Sequence, residues 1–132
     1  MPDWTHVNWL AVVIAAVANI VIGYVWYMPQ VFGRRWQAAS GQTMAQVAAP
    51  MYVVLLITSL VAAYVVGLFA GGVGVVNGAV WGFVLWLLLA SAMAGAVLFE
   101  GRSWMYWGIN AGYWLLALLV MGGIVGYFPA TL

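Results

Sequence analysis

The sequence has no cysteine and no lysine. Without cysteine there is no disulfide, no thiolate nucleophile and no cysteine metal site. Charge of either sign is scarce: Asp3 and Glu100 stand against Arg34, Arg35 and Arg102, together 4% of 132 residues. A net charge of +1 supplies no basic stripe for nucleic acid, so none is expected as a partner. One histidine, His6, and two carboxylates are too few ligands for a closed metal site within one chain, and no cofactor is expected. A disordered chain is excluded as well, because disorder needs high charge and low hydrophobicity.

In place of charge the chain has apolar side chains, 68% of the total. A soluble domain carries roughly 45–50% and could not cover so apolar a surface with polar groups. The natural solvent is therefore lipid. A span needs about 20 mainly apolar residues, and four stretches qualify: approximately 7–28, 50–69, 75–99 and 104–128. Residues 83–90 are solidly apolar, with none of the alternation of a membrane β-strand. Backbone in a bilayer must satisfy its own hydrogen bonds, so such runs become helices. Pro29 and Pro129 close the first and fourth spans by removing an amide donor. Two starts fit the second. Pro50 suits a first helical turn, whereas Thr43 with Gln46 resembles a capping box, which would either place Pro50 inside the helix as a kink or put a short interfacial helix before the span. The start of the chain lacks the basic n-region of a signal peptide, and neither a myristoylation glycine nor an acylation cysteine is present; a retained first span is expected.

The connections are unequal: a long loop over 30–46, a glycine-rich turn over 70–74 and a tight charged turn over 100–103, where Gly101 can take positive φ. Short turns favour antiparallel neighbours. The expected fold is an all-α, integral membrane antiparallel four-helix bundle in one domain, 1–132. All three arginines fall in the first and third connections. The positive-inside rule places those in the cytoplasm and both termini outside; with so few charges, insertion in both orientations stays open. Trp4, Trp9 and Tyr127 would then mark the outer interface, and Trp26, Tyr27, Trp36, Trp104, Tyr106 and Trp107 the inner one.

Small residues recur every four positions at Ala11, Ala15, Asn19 and Gly23, at Gly74, Gly78 and Gly82, and at Gly108–Gly112 and Gly122–Gly126. Such ridges let membrane helices approach closely, within one chain or between copies. The stretches Asn8-Trp9-Leu10-Ala11-Val12, Gly23-Tyr24-Val25-Trp26-Tyr27, Phe32-Gly33 and Trp36, with Phe99-Glu100-Gly101-Arg102, Asn110-Ala111-Gly112-Tyr113, Gly122 and Gly126, resemble a family of small bacterial four-helix membrane proteins catalogued as a domain of unknown function. The resemblance spans nearly the whole chain, with little from the second helix. It implies an inner-membrane protein and carries no activity, cofactor or catalytic residue.

Polar groups inside a membrane are the best pointers to function. Counting along each span puts Asn19, Thr58, Ser59, Trp86 and Trp114 near mid-depth, with Asn110 one turn from Trp114 on the same face. They form either a polar constriction or small-ligand site, or structural cross-ties between helices. No carboxylate or basic residue lies at that depth, which speaks against a proton-coupled transporter. Arg34, Arg35, Glu100 and Arg102 form a candidate ion network or headgroup site. His6 could be one axial ligand of a haem or chlorophyll, with nothing else in support. Asp3 and Glu100 belong to opposite faces and cannot act together in acid–base catalysis. Ser59 and Ser91 have no base in reach, and Gly71-Gly72-Val73-Gly74 lacks the ending of a phosphate loop. The expectation is a non-enzymatic membrane protein with a packing or interaction role, partnered by lipid and by its own copies or another membrane protein. A small passive channel and a lipid or pigment binder are the alternatives.

Overall fold

The computed structural model describes residues 7–131, with side chains for all of these except 44–48. Among the described residues the regular structure is entirely helical: α1 (Trp9–Trp26), a π-helical turn (Pro29–Gly33), α2 (Arg34–Ser40), α3 (Met44–Ala70), α4 (Val75–Glu100) and α5 (Trp104–Tyr127). Four segments are long and apolar enough to cross a membrane: α1, Ala49–Ala70 of α3, α4 and α5. Asp3, Trp4 and His6 lie outside the described residues.

The helix ends follow from local chemistry. Asn8 caps α1 by accepting from the Ala11 amide at 3.1 Å, and its own side-chain amide donates to the Pro129 carbonyl at 3.0 Å. Ser103 caps α5 through the Tyr106 amide at 3.2 Å. Each side-chain oxygen satisfies a donor that the first helical turn leaves free. Between α4 and α5 the chain reverses at Gly101, φ 69°, and the amide of Arg102 returns to the Val97 carbonyl at 3.0 Å. That left-handed cap is the conformation glycine adopts without cost.

The first connection differs from the expected loop, and the second span takes the earlier of its two expected starts. Residues 30–46 are mostly helical, because Pro29 opens the π-helical turn and Gly33 lets it close against the Tyr27 carbonyl. The second long helix begins at Met44, immediately after Thr43, and Pro50 lies inside it. Pro50 there has no amide to donate to the preceding turn.

The four spans are apolar all round, so no amphipathic stripe orients them; side-chain size does. The glycines of α4 and α5 meet backbone to backbone. A Cβ on Gly78 would collide with the Gly122 carbonyl, one on Gly126 with that of Gly74, and one on Gly82 with that of Leu118. The row Ala11, Ala15, Asn19 and Gly23 of α1 is likewise buried within the chain. The core beside it is built from Val12, Ala63, Val66, Ala117, Met121 and Val125. Both stripes are therefore filled by intramolecular packing. α5 touches α1, α3 and α4 and is the most buried span, while α4 is the least.

The chain passes back and forth. At one end the turn between α3 and α4 is tied to the end of α5, by Gly72 N–H to Val125 O at 3.1 Å and Gly74 N–H to Gly126 O at 2.8 Å. Asn8 and Pro129 meet at that end too. At the other end Arg102 donates from Nη1 to the Ser40 carbonyl at 3.2 Å. The arginine-bearing connections thus share one end of the bundle.

The glycine contacts predict a sharp contrast. Gly78→Ile and Gly122→Ile should each cost more than about 3 kcal/mol, because backbone must move to admit the side chain. Gly95→Ala and Gly108→Ala, where a Cβ meets nothing within 4 Å, should change stability by less than about 1 kcal/mol. Unfolding in mixed detergent micelles measures all four.

Candidate functional site

Asn19, in the second half of α1, is fully buried. Its Nδ2 donates to Ser59 Oγ of α3 at 2.7 Å, and its Oδ1 accepts from the Tyr113 hydroxyl of α5 at 2.6 Å. Ser59 is fully buried as well. One amide therefore ties three helices. Hydrocarbon offers no water to a polar group, so an unpaired amide here would carry its full desolvation cost.

A second cluster lies one turn toward the arginine end. The Tyr27 hydroxyl, just past α1, donates to Asn110 Oδ1 of α5 at 2.5 Å. The Tyr27 and Tyr113 rings meet edge to face with centroids 5.6 Å apart, so the two clusters adjoin through aromatic faces.

Indoles make a third set of cross-ties, each to the backbone of another helix. Trp26 Nε1 donates to Ile109 O at 2.9 Å, Trp86 Nε1 to Ala111 O at 2.7 Å, and Trp107 Nε1 to Ala90 O at 3.0 Å. The carbonyls' second lone pairs make this possible within an intact helix. Gly112 admits the first of these, since a Cβ there would press on the Trp26 ring at 3.1 Å.

The six mid-membrane candidates do not form one site. Asn19 and Ser59 are joined directly, and Asn110 belongs to the neighbouring cluster. Trp86 is engaged with the α5 backbone. Thr58 returns its hydroxyl to Leu55 O of its own helix at 3.3 Å. Trp114 packs on Tyr113 with centroids 5.1 Å apart, and with Thr58 it borders an apolar groove between α3, α4 and α5. Tyr27 and Tyr113 are the residues that sequence reasoning missed. By sequence Tyr27 reads as part of the interfacial belt, and Tyr113 stands beside the mid-depth Trp114. Their hydroxyls lie within reach of the two asparagines, which a depth count of all hydroxyl groups could have suggested.

The charged set is similarly divided. Arg102 Nε lies 3.5 Å from Glu100 Oε2, too long for a strong hydrogen bond, and the guanidinium sits over the Tyr106 ring at 4.9 Å. Arg34 and Arg35 are exposed at the start of α2. The corner that carries them is aromatic: Phe32 packs on Trp26 at 4.5 Å between centroids, and Trp36 meets Tyr27 edge-on at 6.1 Å.

Four apolar spans, antiparallel and cross-tied through buried polar groups, define a multi-pass integral membrane bundle. The chain belongs to the DUF1761 family, described as proteins of unknown function, whose model matches residues 10–126. No curated protein and no solved structure matches it.

The Asn19–Ser59 tie can be measured directly. A double-mutant cycle with Asn19→Ala and Ser59→Ala in bicelles should return a coupling of about 0.6 kcal/mol, and no more than about 1.7. Thr58→Val should cost less than about 0.5 kcal/mol, because that hydroxyl bonds only its own helix. Zero coupling between residues 19 and 59 would contradict the pairing.

Proposed function

We propose that the protein is a non-enzymatic component of the bacterial cytoplasmic membrane whose role is packing or interaction, as a homo-oligomer or as a subunit of a larger membrane assembly. The observation that carries this reading is the one-sided attachment of α4. That helix is held chiefly by α5, and Val76, Val80, Val84, Leu87 and Leu88 on it are exposed. The Ser91 hydroxyl on the exposed surface bonds Leu87 O within the helix at 2.6 Å, so it can face an apolar partner without loss. A passive channel has less support, because Asn19, Ser59 and Asn110 are engaged with protein groups. A pigment role has less support too, since several of the nine tryptophans serve the packing. We place the arginine-bearing end in the cytoplasm and both termini outside, on the bias of three arginines to none.

Cross-linking in native membranes through a photoreactive residue at position 84 or 88 should yield an adduct heavier than one 14.2 kDa chain. A lone chain under every condition would overturn the reading. So would solute flux in liposomes that Asn19→Leu abolishes, which would instead establish a channel. Orientation is testable because the chain has no cysteine. Gln42→Cys should resist an impermeant maleimide added to intact spheroplasts, and Thr131→Cys should react; the reverse pattern would invert the topology.

A further inference from the structure

A pocket of about 280 Å³ opens between α1, α3 and α5 near the arginine-bearing end. Ile20, Gly23 and Leu55 line it, and Tyr24 and Tyr52, both exposed, also border it. Its position has two local causes. Gly23 contributes no side chain, and Met51 of the pocket wall follows directly on Pro50, where α3 lacks one backbone bond. Tyr27 and Tyr113 border it too, and their hydroxyls are engaged with Asn110 and Asn19. The lining surface is mostly apolar, so the pocket suits an alkyl chain and not a polar solute. Its volume holds on the order of nine groups of water size.

Pro29 also borders the pocket. Arg34 follows five residues later, directly after the π-helical turn. Arg34 and Arg35 are both exposed. Glu100 is the one carboxylate among the described residues, and it pairs with Arg102. Two exposed arginines thus follow within six residues of the pocket's edge at Pro29, and among the described residues no carboxylate pairs with them. We propose that this corner binds a single anionic phospholipid, with one acyl chain in the pocket and the phosphate held by Arg34 and Arg35. The site is complete in one chain and is independent of any oligomeric role.

Native mass spectrometry of the full chain in mild detergent tests this, using phosphatidylglycerol and phosphatidylcholine with identical acyl chains. The wild type should retain one phosphatidylglycerol in preference to phosphatidylcholine. Arg34→Gln with Arg35→Gln should reduce that preference about tenfold or more, from roughly one factor of five per basic residue. Leu55→Trp, which fills the pocket, should weaken retention of both lipids. On the unaltered chain, glycerophosphoglycerol, the headgroup without acyl chains, should not displace the lipid; this comparison holds even if Leu55→Trp fails to fold. Equal retention of the two lipids by the wild type, or an unchanged preference in the glutamine pair, would overturn the proposal. Displacement by the bare headgroup would overturn it as well, by showing that no chain occupies the pocket.

Discussion

A polar atom inside a bilayer cannot fall back on water, and that constraint organises the bundle. Each mid-depth asparagine finds a protein partner: Asn19 bonds Ser59 and Tyr113, and Asn110 bonds Tyr27. Three indoles satisfy themselves on backbone carbonyls of neighbouring helices. Because hydrophobic burial does not favour one helix pairing over another in lipid, these bonds and the fit of small residues select the arrangement. Most of them end on α5. That helix accepts from Trp26, Tyr27 and Trp86, donates from Tyr113 and Trp107, and presents Gly122 and Gly126 to the glycines of α4.

The corner after α1 shows the same logic at the bundle's end. Trp26 and Tyr27 each hold α5, while their rings meet Phe32 and Trp36 of the returning chain. Gly33 closes the turn because a side chain would strike the Tyr27 carbonyl. The run Gly-x-x-Trp-Tyr, Phe-Gly and Trp thus reads as a single device that ends a span, reverses the chain and leaves Arg34 and Arg35 at the surface. α4 stands at the other extreme: pinned to α5 through glycine, it leaves a wide apolar face to its surroundings.

Much of the architecture was legible in the residues themselves. The four apolar runs give the helices, the prolines and glycines give their breaks, and the grouped arginines give the shared end. The stripes at Gly74–Gly78–Gly82 and Gly122–Gly126 announced close packing, though not that they pack on each other. The helical character of the segment after Pro29 was not legible, because Gly33 admits the turn only through its close approach to the Tyr27 carbonyl, a contact distant from any periodic signal. Depth counting placed Asn19 and Ser59 at one level but could not say which faces met. It also grouped Thr58 and Trp86 with them, and rotation about the helix axes separates these. Tyr27 escapes because a tyrosine near a membrane surface reads first as an interfacial anchor, and Tyr113 because its neighbour Trp114 stands for the polar group at that level.

The central claim is that the mid-depth amides are occupied by protein and not by water. Solid-state NMR of the isotope-labelled chain in lipid bilayers addresses it directly. The account predicts a through-space correlation between Asn19 Nδ2 and Ser59 Cβ, with the Asn19 side chain dark in a water-edited spectrum. A water-bright Asn19 amide without that correlation would contradict it.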